Sequence, residues 1–489
     1  LVAGGGRARA GEAGAARLRL RAAALPAAEE PAQAPAPGGA AGLHHPFRSL
    51  QPALRPHRRR LPDGNRAGRK LPALGPLAVC LGRAGGGVPS AARGALSERS
   101  GGRRPARRWL RPAGARLGPM MRILFGVQGT GNGHISRSRT LARALRARGL
   151  EVDYLFSGRP AESYFEMAEF GDYRAFPGIT FVSHEGAISG WRTLKGLSPL
   201  RFWRDMRALD CRDYDLVISD FEPISAHAAR RWGKPSLTIS HQASFDWPIP
   251  RWGESGFNRQ LMRHFAPVRQ ALGLHWFHFG QPLLPPIIDA IPSAPDNQQI
   301  LVYLPFEQTE AIAALLSRFN QQRFVCFHPA IRSASQWRNI AFEPQAREGF
   351  KQMLAGCRGV ITNGGFELAS EALSLGKKLL VKPLGGQFEQ LTNSKTLELM
   401  GLARLMDALD ANAVRAWLDA AAPGQIIYPD VASELAGWLA DGAQESVPAL
   451  SRRLWARTLF PEEVCDRLSE LEGGSPLNSS WLSQVSAFG

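Results

Sequence analysis

Residues 361–394 read ITNGGFELASEALSLGKKLLVKPLGGQFEQLTNS, and this stretch decides the fold. An apolar, β-branched run ends at Asn363-Gly364-Gly365. A helical segment follows from Phe366 to Leu375, with Gly376 just past its end. The run KLLVKP comes next, and Gly385-Gly386 then opens another helix. Glycine at such a junction lets a ligand approach the backbone closely. The free N–H groups of a helix start favour an anion, typically a phosphate. Glu371 lies further along the first helix, and Glu389-Gln390 lies just past the next strand. A phosphate cradle, one carboxylate and a polar pair suit a sugar nucleotide.

Working outward, the same alternation runs through the chain from residue 121. MRILFGV, VDYLF, LVISD, SLTIS, ILVYLP, FVCFH, GVITN and KLLVKP are short apolar runs with helical segments between many of them. This is the pattern of an α/β protein with parallel sheets covered on both faces. The Pro-rich stretch PLLPPIIDAIPSAP, residues 282–295, interrupts it and reads as an inter-domain hinge. The expected organisation is one Rossmann-like domain over 121–285, a second over 286–445, and a C-terminal helix and tail over 446–489. Open α/β sheets bind ligands beyond the carboxyl ends of their strands, and two glycine segments fall at such ends. The N-terminal one reads GVQGTGNGHISRSRTLARAL, with Gly129, Gly131 and Gly133 in the turn and His134 where the helix begins. Counted as a dinucleotide fingerprint from Gly129, its third glycine position holds His134. The second strand ends at Ser157-Gly158 rather than at an acid, so NAD binding is disfavoured.

The segment 361–394 resembles the donor-binding signature of GT-B glycosyltransferases, and is similar to that of the UDP-glycosyltransferase and MurG-type family. The resemblance covers 121 to about 440. It implies that Asn363 stands where the family usually has a diphosphate-binding His. Gly364 and Gly365 match its paired glycines, Glu371 its ribose-binding Glu, and Glu389-Gln390 with Asn393 the pair that holds sugar hydroxyls. Leu368 replaces a phosphate-binding Ser, so diphosphate contacts are expected to rest more on backbone N–H groups. Gly131 and Gly133 are expected on the donor side as well. The resemblance implies a general base at His134, oriented by Asp220 at the end of LVISD, with a helix-start or capping role as the structural alternative for each. His241-Gln242, after SLTIS, is expected on the acceptor side, with His241 as runner-up base. His275, His278 and His328 show no partner pattern and read as core or surface histidines.

Composition divides the chain. Residues 1–120 carry 22 Lys and Arg against 5 Asp and Glu, leaving 38 and 37 of the chain's 60 and 42 for the remainder. Nearly all of the net charge of +18 thus belongs to an Arg-, Ala-, Gly- and Pro-rich leader without apolar periodicity. That leader is expected to be disordered, and its composition suits an upstream reading frame joined to a start at Met120 or Met121. The balanced remainder gives no support to nucleic-acid binding. The five cysteines, Cys80, Cys211, Cys326, Cys357 and Cys465, are scattered without CxxC spacing, which fits a reducing cytosol. No run of about 18 apolar residues exists to span a membrane.

The expected function is transfer of a sugar from a nucleotide-diphosphate sugar, in the first instance a UDP sugar, to a lipid-linked or small-molecule hydroxyl. The nucleotide sugar is a co-substrate, and no cofactor or metal is expected. A His base suggests inversion. The alternatives are a non-hydrolysing sugar-nucleotide epimerase of the same fold and a non-catalytic sugar-nucleotide binder. The expected location is cytoplasmic, with one qualification. In residues 191–209 the apolar Leu200, Phe202, Trp203, Met206 and Leu209 alternate with Arg201, Arg204 and Arg207. That segment reads either as a helix packed on its own domain or as a basic amphipathic contact with the inner face of a membrane.

Overall fold

The computed structural model describes residues 121–178, 183–184, 187–188 and 199–473. The expected leader, the tail beyond 473, and residues 191–198 lie outside the described residues.

The first sheet is built from β1 (Arg122–Gln128), β2 (Glu151–Ser157), β3 (Tyr173–Phe176), β6 (Leu216–Asp220), β7 (Ser236–Ser240) and β8 (Gln270–Gly273). A two-stranded ribbon, β4 (Ser183–His184) and β5 (Ala187–Ile188), stands apart from it. The sheet order is β3-β2-β1-β6-β7-β8, and every neighbouring pair is parallel. Helices α1 (Asn132–Ala147), α2 (Pro199–Ala208), α3 (Pro223–Arg231) and α4 (Gly256–Phe265) accompany it. Central strands read as unbroken apolar runs because both faces are covered; Ile123, Leu124, Phe125 and Val127 of β1 are all buried. Helix α3 has Pro223 in its first turn and Glu222 as N-cap, whose carboxylate accepts from the N–H groups of Ile224 and Ser225.

The second sheet runs β11-β12-β10-β9-β13-β14-β15. Its strands are β9 (Gln299–Tyr303), β10 (Arg323–Phe327), β11 (Ser335–Trp337), β12 (Ile340–Glu343), β13 (Gly359–Asn363), β14 (Lys378–Lys382) and β15 (Ala403–Leu405). All neighbours are parallel except β11 and β12. Its helices are α5 (Thr309–Leu316), α6 (Arg347–Gly356), α7 (Phe366–Ser374), α8 (Phe388–Leu399) and α9 (Ala411–Leu418). Gly376, past the end of α7, has φ +68°, the left-handed conformation that closes a helix most readily at glycine.

Both sheets reverse strand order at their centre, between β1 and β6 in one and between β9 and β13 in the other. Such switch points open a crevice at the strand ends. The two glycine segments, after β1 and after β13, stand at these two points. Past the second sheet the chain returns to the first: α10 (Val431–Ala440) packs on α1. In α11 (Val447–Trp455), Ser451 Oγ and Trp455 Nε1 both donate to the Leu283 carbonyl. Helix α12 (Glu462–Gly473) follows.

Helix α2 turns Phe202 and Met206 against a buried cluster with Leu209, Tyr214 and α3, while Leu200 and Trp203 are exposed. The Arg207 guanidinium lies 3.6 Å from the centre of the Trp203 ring. The described part of 191–209 is therefore a helix packed on its own domain with its arginines outward. Among the described residues no helix is long and apolar enough to cross a membrane.

Candidate functional site

The starts of α1 and α7 meet across the crevice. Gly131 caps α1 in extended conformation, which projects His134 from the first turn. Its Nδ1 lies 2.9 Å from Asp220 Oδ1 at the end of β6. Asp220 is buried, and Arg137, one turn along α1, grips both of its oxygens, with Nε at 3.1 Å and Nη2 at 2.6 Å. Burial alone would raise the Asp220 carboxyl, but the charge of Arg137 and then the hydrogen-bonded His134 hold it below its ordinary value. The same Nδ1 also lies 3.1 Å from Arg137 Nη2, so Asp220 and Arg137 together hold the imidazole in place; a proton on Nδ1, shared with Asp220, is the tautomer that leaves a lone pair on Nε2.

Facing it, Asn363, Gly364 and Gly365 end β13 and begin α7. A Cβ on Gly364 would lie 2.4 Å from the Gln390 carbonyl oxygen, so glycine is required there. The Asn393 amide fixes the turn by donating to the Gly364 carbonyl at 3.0 Å. Helix α7 has no side-chain cap, so its first N–H groups remain available to an anion. Asn363 is buried; its Nδ2 donates to the Lys382 carbonyl, and its Oδ1 has no hydrogen-bond partner. As placed, Asn363 has its amide donor committed to the Lys382 carbonyl and offers none to a phosphate.

The remaining donor-side groups are paired across the crevice. Ser136 Oγ of α1 donates to Glu371 Oε1 at 3.3 Å, and Gln242 Nε2 donates to Glu389 Oε1 at 2.9 Å. Burial first, then the charge of Asp289, pushes the Glu371 carboxyl up to about 7. Gln390 is buried and its Oε1 accepts from the Leu384 N–H, which shapes the loop after β14. Arg137 also crosses, with Nη1 donating to Glu367 Oε2 at 3.0 Å in the first turn of α7. Gly133 permits this approach, since a Cβ there would sit 3.1 Å from Glu367 Cβ.

His241 has a different surrounding from the one its strand-end position suggested. It is fully buried and stacks on Phe366 at 4.0 Å, with the rings 7° from parallel. Its Nδ1 lies 2.9 Å from the Leu274 carbonyl and its Nε2 2.6 Å from Asn393 Oδ1. In this arrangement the ring joins the two sheets and is closed to an acceptor. His275 and His328 are buried, and each accepts a nearby backbone N–H on Nδ1.

Three residues of the site were not singled out from the sequence: Ser136, Arg137 and Glu367. Helical spacing carried the signal. Arg137 is three residues past His134 on α1, and Glu367 is four before Glu371 on α7, so each shares its partner's face.

Two parallel sheets with opposed switch points, a His–Asp pair on one side and an uncapped glycine-led helix on the other, define a GT-B glycosyltransferase framework. Residues 121–422 match the family described as Glycosyl transferase family 1, and the chain belongs to that family. An uncharacterized glycosyltransferase of Methanosarcina acetivorans is 28% identical over 130 residues, which make up 26% of this chain and 33% of that protein. The chain thus spans about a third of that relative. Among solved structures, the glycosyltransferase SnogD of Streptomyces nogalater aligns with a TM-score of 0.42 and 19% identity, over 69% of this chain and 99% of that one. UGT2 of Phytolacca americana, complexed with UDP-2fluoro-glucose and pterostilbene, aligns with a TM-score of 0.44 and 14% identity, over 72% and 99%.

Proposed function

We propose that the chain transfers a sugar from a nucleotide-diphosphate sugar, with UDP sugars first in order of test, to an acceptor hydroxyl. The observation that carries this reading is the buried Asp220 holding His134 at the start of α1, opposite the glycine-led start of α7. His134 Nε2 takes the proton of the acceptor hydroxyl, and Asp220 stabilises the imidazolium that forms. The acceptor oxygen attacks the anomeric carbon as its bond to the diphosphate oxygen breaks, with inversion. The departing charge is met by the first N–H groups of α7. The reading assigns that stabilisation to the protein's own groups. Glu371 suits the ribose hydroxyls, and Glu389 those of the sugar.

The experiment is a panel of UDP, dTDP and GDP sugars, incubated with the protein and either a cell lipid extract or small-molecule alcohols, and followed by mass spectrometry. Glycosylated acceptor together with free nucleoside diphosphate is the expected result. A donor altered without acceptor would indicate an epimerase, and no change with any donor would indicate a binding protein.

A further inference from the structure

We propose that Arg137 binds the diphosphate of the donor, and that Glu367 holds the diphosphate's place on Arg137 in the arrangement seen here. The inference rests on the reading of the crevice as a nucleotide-sugar site and assigns a residue within it.

The geometry of the guanidinium carries the argument. Arg137 is buried, and Nε and Nη2 are anchored to the two oxygens of Asp220, which belongs to the same sheet domain. Nη1 alone reaches across, to Glu367 Oε2. A fork held at two nitrogens and projecting the third is a pre-oriented donor for an oxyanion. Its target lies in the first turn of α7, where N–H groups without a side-chain cap already favour an anion.

Charge gives the second argument. Asp220, Glu367, Glu371 and Glu389 all border this crevice. A nucleoside diphosphate entering among four carboxylates needs a cation beside it, and Asn363 directs its amide donor to Lys382 instead. Glu367 is also a weak competitor for that cation. Burial, with Arg137 working against it and Glu371 and Asp220 adding to it, pushes its carboxyl well above the ordinary range, so keeping it ionised is costly. A phosphate oxygen carries its charge without that handicap and can displace it.

Steric closeness gives the third. Helices α1 and α7 approach closely at Gly133, where a Cβ would lie a tight 3.1 Å from Glu367 Cβ. A diphosphate at the start of α7 therefore requires the two helices to part. Arg137 stays with Asp220 as they do, and Nη1 is left facing the newly opened space.

The test compares wild type, Arg137→Lys, Arg137→Met and Glu367→Gln by calorimetry, using UDP, dTDP and GDP each beside its nucleoside monophosphate. Losing a hydrogen bond to a charged group corresponds to roughly ten- to hundredfold in affinity. Arg137→Met is expected to lose that much for the best-bound diphosphate and less than about threefold for its monophosphate, with Arg137→Lys in between. Glu367→Gln is expected to bind the diphosphate several-fold more tightly, a gain that a purely structural role for the pair would not produce. If Arg137→Met does not fold, the Lys and Gln variants decide the matter. Wild type binding a diphosphate with an unchanged diphosphate-to-monophosphate ratio in the Arg137 variants, or weaker binding in Glu367→Gln, overturns the role of Arg137 alone. Wild type binding no nucleoside diphosphate overturns the reading of the crevice and this inference with it.

Discussion

Replacing Glu371 by Gln should stabilise the protein, by an amount that grows as pH rises from about 4.5 and levels off above about 7. Glu371 is 7% exposed, and its carboxyl is pushed from the ordinary 4.5 up to about 7. A raised carboxyl pKa stabilises the folded state fully below the unfolded value and loses that contribution as pH rises through the folded value. The interval from 4.5 to about 7 corresponds to about 3 kcal/mol at roughly 1.4 kcal/mol per pH unit, an upper figure because the group is buried and coupled to the charges around it. Gln retains an oxygen for the Ser136 hydroxyl but has no proton to lose. Urea unfolding of both proteins should therefore give similar midpoints at about pH 4 and, at about pH 8, a Gln variant more stable by about 2–3 kcal/mol. Glu222 and Glu367 are also raised, but both proteins share them and their direct effect cancels in the comparison. An equal gap at the two pH values would refute the reasoning. So would a Gln variant less stable at pH 8, which would mean that the carboxylate is stabilised where burial says it is strained.

The other predictions concern chemistry, donor contacts and packing. His134→Ala should lower kcat by roughly 10² to 10⁴ while donor affinity holds, and Asp220→Asn should slow the same step; a near-normal rate in His134→Ala with loss in His241→Ala would transfer the base to His241. Glu389→Ala should weaken binding of the whole nucleotide sugar by about 1.5–3 kcal/mol but leave the free nucleoside diphosphate nearly unchanged in calorimetry. Gly364→Ala forces a Cβ to 2.4 Å from a backbone oxygen and should cost about 1–3 kcal/mol, seen as a Tm lowered by several degrees.

The strands that could be read from the sequence are the buried ones. β1, β2, β6, β7, β9, β10, β13 and β14 coincide with the eight apolar runs, because a strand covered on both faces leaves a continuous apolar signature. Strands β3, β8 and β15 are short, partly exposed edge or near-edge segments (YRAF, QALG, ARL) with no such run, and β11 and β12 form a brief antiparallel turnback. Within the site, position along strand and helix ends was enough to single out His134 and Asp220, and the structure brings them to 2.9 Å. The same logic pointed His241 at the crevice. The following turn instead lays the ring on Phe366, a contact decided by the partner domain. For Arg137 and Glu367 helical spacing showed only that each shares a face with a site residue; their pairing with each other arises when two distant helix starts are brought face to face.

The chain crosses between the sheets twice. The first crossing leaves β8 and reaches β9; the second follows Ile426, still bonded to the Leu373 carbonyl, and leads into α10 on the first sheet. Two strands crossing one boundary define a line, and relative motion is reduced to rotation about it, as a door on two pins swings without swivelling. Asp289 marks one pin: it sits in the first crossing and binds Arg143 of α1 together with Arg347 and Lys351 of α6. From Arg143 to Arg137 is six residues of helix, a lever arm of about 9 Å. A rotation of about 10° at the pin therefore moves Arg137 by about 1.6 Å. That is enough to break the 3.0 Å contact between Arg137 and Glu367 while Asp289 keeps its partners.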